Sequence, residues 1–524
     1  MVVTGLVFIN FVPMTFLRKA LLLPSIFLCG LVQAQDHTFD IVIENAILVD
    51  GSGDEPYIAS VGILNGVIEL IEIDTNVTLL GTKRIDGRNK ILAPGFIDTH
   101  AHGDPLRTPL FKNFLAQGVT SIMLGQDGSS PPSENIRPWM QQVKESQPGV
   151  NIGLFAGHNT LRRLSGAGFD SIPSEEAMKR MEELLKDALE AGALGMSTGL
   201  EYNPGFYAQK QELQNLAKIV GEGHGLIMSH MRSEDDADIK ASIDELLAQG
   251  QHSPVHISHL KVVYGKGEAR AEEILKQLDS ARVHHIRVTA DIYPYNASYT
   301  GIGILFPSWA RAPNDYYEVL RTRRNELREY LQEIVTKRNG PEATLIGTGR
   351  FAGKTLAEVA QERHKPYDVI LMDDIGPTGA SGAYFVMDDT LQKRLVQYPL
   401  VNISSDGSPS MHHPRGYGSF AKIIQEYVQQ DSILTIQEAV YKMTGLPAET
   451  LGLWGRGLIS CGYYADLVLF DPTAVRANAT YQEPHQLATG MEYVIVNGKI
   501  AKQAERFTEK GHGVVIRREK PLRK

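Results

Sequence analysis

Eight short apolar runs between residues 91 and 406 constrain the fold more than any other feature of the sequence. Segments with the spacing of amphipathic helices separate most of these runs, and such alternation is typical of a parallel sheet. Eight units of this kind predict an α/β fold, a (β/α)8 TIM barrel. The runs are ILAPGFIDTH (91–100), VTSIMLG (119–125), IGLFAGH (152–158), ALGMST (193–198), LIMSH (226–230), VHISH (255–259), IRVTADIY (286–293) and LVNISSD (400–406).

The clearest helix is SEEAMKRMEELLKDALEAG, residues 174–192. Ser174 is suited to cap its first turn, and Gly192 is suited to end it. Its apolar residues recur with the helical period, which predicts one buried face. They are Met178, Met181, Leu185 and Leu189.

Most of the eight runs end in a residue that can take part in chemistry. The active site of a TIM barrel lies at the carboxyl ends of its strands, so these side chains are predicted to surround one opening. A single histidine after a strand is most often an ordinary loop residue, but several in strand order indicate a functional site. The residues are His100, His158, His230, His259 and Asp406.

His100 and His102 form the strongest local motif, Thr-His-Ala-His after the first run. Residues i and i+2 of an extended segment point to the same side, so both imidazoles can reach one cation. Neutral imidazole suits zinc, and catalytic zinc sites keep an open coordination position. Together with His230, His259 and Asp406, the pair predicts a catalytic zinc site with one or two ions.

Both ends of the chain beyond residue 34 are predicted to form short strands. FDIVIENAILVDGSG (39–53) alternates apolar and polar residues, and YVIVNGKIA (493–501) contains an Asn-Gly turn. We expect residues 35–92 and 455–524 to form one small β-sandwich domain. This domain packs against a barrel that spans residues 93–454. Residues 300–399, between the seventh and eighth runs, are interpreted as an insertion with a solvated helix, the alternative being a lid over the barrel opening.

Residues 14–34 have the parts of a secretory signal peptide. Arg18 and Lys19 precede an apolar run (20–31) and a Val-Gln-Ala pattern suited to cleavage. The run is shorter than the ~20 residues needed to span a bilayer. We therefore expect cleavage of residues 1–34, no stable membrane insertion, and an exported protein, periplasmic or secreted. The net charge of −9 and the mixed charge runs disfavour nucleic acid as a partner.

Several segments together resemble one family of enzymes. PGFIDTHAHGD, GALGMSTGLEYNPG, SHMRSE, ISHLKV, DIYPYNA, SSDGSP and HHPRGYGSF are similar to the amidohydrolase superfamily, and within it to the N-acyl-D-amino-acid deacylases (D-aminoacylases). The resemblance covers about residues 36–515 and implies a barrel with a β-sandwich. It implies His230 and His259 as tight zinc ligands, His100 and His102 as a weaker second metal position, and Asp406 as the general base.

The second run departs from this family pattern. Where well-known members have a zinc-binding cysteine in a Gly-Asn-Cys-Gly stretch, this chain has Gly-Gln-Asp-Gly, residues 125–128. Asp127 is therefore predicted as a ligand, although an aspartate before glycine is also common in plain turns. Glu201, just past the fourth run, is a second candidate. The fourth run contains no lysine, which argues against the carbamylated-lysine bridge of other amidohydrolases.

The resemblance implies that Lys261, Tyr293 and Arg415 hold the carboxylate of a small N-acylated amino acid or short peptide. Arginine can bind a carboxylate through two parallel hydrogen bonds. His158, with Arg162 and Arg163 in GHNTLRR, is a further candidate for the same opening. The expected reaction is hydrolysis of the amide by a metal-activated water, with Asp406 as base. The preference for D-substrates comes from the resemblance alone.

Two alternatives compete with deacylation. The first is another amidohydrolase that acts on a cyclic amide or an isopeptide, as dihydroorotases, hydantoinases and isoaspartyl dipeptidases do. The second is an exported metal-binding protein without catalysis, which loss of Asp406 or of the histidines would favour. All of those residues are present.

Overall fold

The computed structural model describes residues 38–518. The predicted signal peptide (residues 1–34) lies outside this range. Among the residues described, no helix combines the length and apolar character needed to cross a membrane.

Eight parallel strands form a closed barrel, which confirms the predicted fold class. Neighbouring strands follow chain order, and an interruption at Phe155 divides the third strand between two sheets. The backbone N–H of Asp406 donates to the carbonyl of His100 at 2.8 Å, which joins the eighth strand to the first. The strands are Phe96–Asp98, Val119–Leu124, Asn151–Leu154 with Ala156–Gly157, Gly195–Gly199, Leu226–His230, Val255–Ile257, Val288–Ile292 and Val401–Ile403.

Helices surround the barrel and bury their apolar faces against it. In the helix Glu175–Ala191 the Ser174 side chain accepts from the backbone N–H of Ala177, and Gly192 ends the helix with φ 109°, as the sequence predicts. The helices of this layer are Lys112–Ala116, Arg137–Glu145, His158–Ser165, Glu175–Ala191, Lys210–Glu222, Ile239–Gln249, Gly267–Val283, Asp389–Gln397, Arg415–Lys422 with Ile423–Gln430, Ile436–Met443 and Gly445–Leu451.

Strands from both chain ends form one nine-stranded sheet beside the barrel. The first apolar run (91–100) was predicted as one barrel strand but is divided: Ile91–Pro94 pairs with Leu467–Phe470 in this sheet, and only Phe96–Asp98 enters the barrel. Gly95 lies at the division, where a Cβ would come within 2.2 Å of Thr120 Oγ1. The strands are Thr38–Leu48, Tyr57–Leu64, Val67–Glu72, Leu80–Asp86, Ile91–Pro94, Leu467–Phe470, Met491–Val496, Lys499–Gln503 and Arg506–Phe507.

The insertion after the seventh strand is a small unit with its own core, rather than a solvated helix. The stretch predicted as one solvated helix, YYEVLRTRRNELREYLQEIVTKR (316–338), forms two helices, Tyr316–Thr322 and Arg324–Lys337. Leu327, Leu331 and Val335 of the second helix are fully buried in a cluster that belongs to the insertion. Its other main elements are the antiparallel strands Ala297–Gly301, Thr344–Ile346 and Ser381–Phe385 and the helices Leu356–Arg363, Tyr367–Val369 and Ile370–Ile375.

Candidate active site

The carboxyl ends of the barrel strands bring the predicted ligands to one opening. His230 is the last residue of its strand, and His100, His259 and Asp406 follow theirs by two or three residues. His259 and Asp406 have positive φ angles of 37° and 48°. Left-handed backbone is uncommon for residues other than glycine and clusters at functional sites. Both side chains reach the residues of other strand ends: His259 Nε2 lies 3.5 Å from Asp127 Oδ1, and Asp406 Oδ1 lies 3.1 Å from His102 Nε2.

Asp127 connects the two pairs of histidines. Its Oδ1 lies 3.3 Å from His100 Nε2, 3.5 Å from His259 Nε2 and 3.7 Å from His230 Nδ1. Its Oδ2 lies 3.4 Å from His102 Nε2. Asp127 thus shares one potential metal site with His230 and His259, and another with the two remaining histidines and Asp406.

Unsatisfied buried atoms in this cluster fit a divalent cation. Both ring nitrogens of His100 and the Oδ1 of Asp127 are buried and have no hydrogen-bonding partner among residues 38–518. Buried polar atoms are almost always satisfied, so the unpartnered His100 Nε2 and Asp127 Oδ1, which lie 3.3 Å apart, indicate a missing partner between them. Imidazole nitrogens and carboxylate oxygens are the ligands of zinc and similar ions.

The carboxylates of the cluster are held in their charged form. Burial raises the pKa of Asp127, but the neighbouring imidazoles, His100 first, hold that pKa well below its usual range. Burial acts in the same direction on Asp406, and the Arg415 guanidinium keeps its pKa low. Burial lowers the pKa of His102, but hydrogen bonds to the two carboxylates raise it to about 9. A cation that binds there therefore displaces a proton.

Asp406 lies between the histidines and a buried arginine. Its Oδ1 is 3.1 Å from His102 Nε2, and its Oδ2 is 2.8 Å from Arg415 Nη1. The guanidinium of Arg415 packs on the ring of Tyr293, 4.8 Å from its centroid. The Nε of Arg415 and the hydroxyl of Tyr293 are buried without a partner in the described part of the chain. These two donors are available to an incoming anion.

Outer carboxylates orient the histidines, and sequence reasoning missed them. Glu234 Oε1 lies 3.0 Å from His259 Nδ1, and it also accepts from the ammonium of Lys261 at 2.7 Å. Asp291, wholly buried, accepts from the backbone N–H of His259 at 2.8 Å. Metal-binding histidines commonly use such a second contact to fix the ring. The available signal was an acidic residue in each of two strand-end segments, SHMRSE (229–234) and ADIY (290–293).

Glu201 lies on the other side of His230 from Asp127. Its Oε2 is 2.9 Å from His230 Nε2, whereas Asp127 faces Nδ1. If Nε2–H donates to Glu201, Nδ1 keeps its lone pair for a metal. Of the two predicted carboxylates, Asp127 is therefore the one placed among the four histidines.

His158 is not at the opening, which corrects its placement with the substrate-binding residues. It lies in a fully buried ion-pair network, with its Nε2 2.7 Å from Glu212 Oε1. Arg162 binds the same carboxylate at 2.5 Å and is also fully buried. Arg163 points to solvent. His158 therefore faces the outer helix Lys210–Glu222, where it pairs with the buried Glu212, and not the cavity.

A cavity of about 340 Å³ opens above the cluster. This volume lies at the lower end of the range for small-molecule sites. The insertion supplies part of the wall, including Tyr299, Ile304 and Arg338, and the barrel supplies the rest. The insertion is therefore part of the site's enclosure.

Comparison with known proteins places the chain in a family. A model of the amidohydrolase family matches residues 355–501. The N-acyl-D-glutamate deacylase of Alcaligenes xylosoxydans xylosoxydans is 33% identical over 485 residues, which are 88% of this chain and 93% of that protein. This chain belongs to the N-acyl-D-amino-acid deacylase family. Another member, the D-aminoacylase of the same organism, is 31% identical over 515 residues, covering 93% of this chain and 99% of that one.

A solved structure from the deacylase family has the same architecture. The N-acyl-D-glutamate deacylase of Bordetella bronchiseptica, complexed with zinc and a phosphonate mimic of the tetrahedral intermediate, superposes with a TM-score of 0.80 at 29% identity. The match covers 92% of this chain and 100% of the other. Family membership and the barrel with its β domain, both predicted from the sequence, are confirmed.

Proposed function

We propose that this chain is a zinc-dependent hydrolase that cleaves the amide bond of N-acyl-D-amino acids. The observation that carries the proposal is the position of Asp127 between two pairs of histidines, with Asp406 beside them. The family relationship supports the reaction, since its named members are deacylases of N-acyl-D-amino acids.

One or two zinc ions are assigned to this cluster. Asp127, His230 and His259 form one set of potential ligands, and His100 and His102 complete a second set with Asp127 and Asp406. A bound zinc ion supplies Lewis acidity at the scissile carbonyl and brings the pKa of a water molecule close to neutral. His100 Nε2 and Asp127 Oδ1, 3.3 Å apart and both without a hydrogen-bonding partner within residues 38–518, support this assignment.

Asp406 is assigned the proton transfers. It is ionised at neutral pH, and Arg415 and His102 fix its two oxygens. It accepts a proton from the attacking water and returns it to the leaving nitrogen. A positioned acid–base group of this kind typically contributes about 10²–10⁴-fold to the rate.

Tyr293 and Arg415 are assigned to the α-carboxylate of the substrate, with Lys261 at the same spot. The hydroxyl of Tyr293 and the Nε of Arg415 have no partner within residues 38–518. The ammonium of Lys261 lies 5.9 Å from the Tyr293 ring centroid. These cations and donors converge beside Asp406, so a carboxylate held there brings the neighbouring acyl group toward the base.

Two observations weigh against the alternatives. The fourth strand, Gly195–Gly199, contains no lysine to bridge two ions, which weighs against the cyclic-amide and isopeptide hydrolases considered above. Asp406 is a buried aspartate held ionised beside the metal ligands, and a protein without catalysis has no need for such a residue.

A substrate panel tests the proposal. Zinc-loaded protein is incubated with N-acetyl-D- and N-acetyl-L-amino acids, dihydroorotate, hydantoin and a β-aspartyl dipeptide, and the released amine or ring-opened product is measured. We expect hydrolysis of the acetyl-D-amino acids only. Turnover of the cyclic amides or the dipeptide, with none of the acyl amino acids, would overturn the proposal. The Asp406→Asn variant, purified identically, controls for contaminating enzymes.

We also propose that residues 1–34 direct export of the protein to the periplasm or the medium. The basic start, the apolar run and the Val-Gln-Ala pattern support this. Expression of the full chain in a bacterial host, followed by fractionation and N-terminal sequencing, tests it. A mature protein beginning near Gln35 in the exported fraction is expected, and an intact N-terminus in the cytosol would contradict it.

A further inference from the structure

Three side chains with a permanent positive charge line the cavity, and one of them has no anionic partner. Lys261 pairs with Glu234 at 2.7 Å, and Arg415 pairs with Asp406 at 2.8 Å. Arg338 takes part in no ion pair of residues 38–518, and its Nε has no hydrogen-bonding partner there. Arg338 is nevertheless only 5% exposed.

Arg338 occupies a different spot from the other two cations. Lys261 and Arg415 both flank the ring of Tyr293, at 5.9 and 4.8 Å from its centroid. The guanidinium of Arg338 instead lies 5.2 Å from the ring of Tyr384 and 6.0 Å from that of Tyr264. A carboxylate held at Tyr293 therefore leaves Arg338 free for a second anionic group.

The surroundings of Arg338 are built to hold a charge in place. Arg338 directly follows the insertion helix Arg324–Lys337, and Tyr384 is wholly buried. The hydroxyls of Tyr264 and Tyr384 are themselves buried without a partner in the described part of the chain. A buried guanidinium without an anion is costly, and a carboxylate is the group that matches its fork of donors.

We propose that Arg338 binds a side-chain carboxylate of the substrate, so that N-acyl derivatives of acidic D-amino acids are preferred. This inference rests on the proposed deacylase function and adds the class of amino acid. The α-carboxylate lies with Arg415 and Tyr293, and the second carboxylate lies with Arg338 against the insertion.

The test compares two substrates of nearly equal shape, N-acetyl-D-glutamate and N-acetyl-D-glutamine, with N-acetyl-D-aspartate and N-acetyl-D-leucine alongside. For the wild type we expect kcat/KM to favour glutamate over glutamine by about 100-fold, since a buried charge pair discriminates strongly against a neutral analogue. Arg338→Met should lower the value for glutamate by about 100-fold and that for glutamine by less than about 3-fold. The glutamate-to-glutamine ratio of kcat/KM for Arg338→Lys should lie between the ratios of the wild type and Arg338→Met.

Lys337→Met is the matched control. Lys337 is the preceding residue, does not line the cavity and pairs with Asp235 at 2.8 Å. The Lys337→Met substitution also removes one positive charge from this end of the helix, and it should leave the glutamate-to-glutamine ratio of kcat/KM unchanged. Both substrates are measured on one sample, so a partly unfolded variant does not distort the ratio.

Three results would overturn the inference: a wild type that does not distinguish glutamate from glutamine, an unchanged ratio in Arg338→Met, or an equal loss with every substrate. Failure of the deacylase function has a different signature, in which no N-acyl-D-amino acid is cleaved. In that case calorimetric binding of N-acetyl-D-glutamate and N-acetyl-D-glutamine still decides the role of Arg338. Tighter binding of glutamate in the wild type but not in Arg338→Met supports it, and equal binding refutes it.

Discussion

Replacement of Glu212 by leucine should destabilise the folded protein by about 3–5 kcal/mol and leave turnover per folded molecule unchanged. Glu212 is the acid shared by His158 and Arg162, at 2.7 and 2.5 Å. Arg162 is fully buried, so the variant leaves its charge uncompensated. The cavity lining does not include these three residues, which is why catalysis should be spared.

The magnitude follows from the geometry. Two unit charges 2.5 Å apart at an effective dielectric constant of about 20 attract by roughly 6–7 kcal/mol. The desolvation of the Glu212 carboxylate, absent in the variant, offsets part of this. Arg162 also keeps two backbone acceptors, the carbonyls of Gly168 and Asp170. The net loss therefore falls below the Coulomb figure, in the range measured for broken buried pairs, about 3–5 kcal/mol.

Urea unfolding, followed by fluorescence and circular dichroism in parallel, measures the change. Glu222→Gln is the control, because Glu222 ends the same helix but is exposed, and its loss should cost less than about 0.5 kcal/mol. In the double variant Arg162→Met/Glu212→Leu the uncompensated charge is gone. Its stability should recover by about 2 kcal/mol relative to Glu212→Leu.

Two outcomes would refute this reasoning. A loss below about 1 kcal/mol would mean that water or rearrangement satisfies Arg162. A drop of more than about 10-fold in kcat/KM for a fully folded Glu212→Leu protein would mean that His158 contributes to the substrate site. A 10-fold change corresponds to about 1.4 kcal/mol of transition-state binding.

Three further predictions concern the metal cluster and a buried lysine. Asp127→Ala should lower zinc content, measured by elemental analysis, and kcat/KM together; full zinc with normal turnover would remove Asp127 from the site. Asp406→Asn should retain zinc and lose about 10²–10⁴-fold in kcat, whereas a near-native rate would contradict its role as base. Burial lowers the pKa of Lys442 to about 7. The unfolded chain, with an ordinary lysine pKa near 10.4, therefore binds one proton more than the folded chain between about pH 7 and 10. The free energy of unfolding should rise with pH there by up to about 1.4 kcal/mol per unit, and Lys442→Met should flatten that part of the stability curve; an unchanged slope would contradict this.

The sequence by itself determined the barrel, the β domain at its side and the positions of several polar strand ends. Apolar strands and amphipathic helices are local patterns, set by the two- and 3.6-residue periods of the backbone. Eight apolar runs separated by helical segments were therefore sufficient to predict the barrel. Because the carboxyl ends of parallel strands share one face, His100, His230, His259 and Asp406 could be expected to meet there.

Only the tertiary structure decided which partner each charge meets. Asp127 and Glu201 both follow barrel strands, but a positive-φ turn directs the first among the histidines, whereas Glu201 faces the far side of His230. His158 also directly follows a strand, yet its partner is an acid 54 residues away on the outer helix layer. Arg338, in a helical stretch that looked solvated, lies in the cavity wall because the insertion folds around its own core. Charges act through space over a few ångströms, and contacts between distant parts of the chain set those distances.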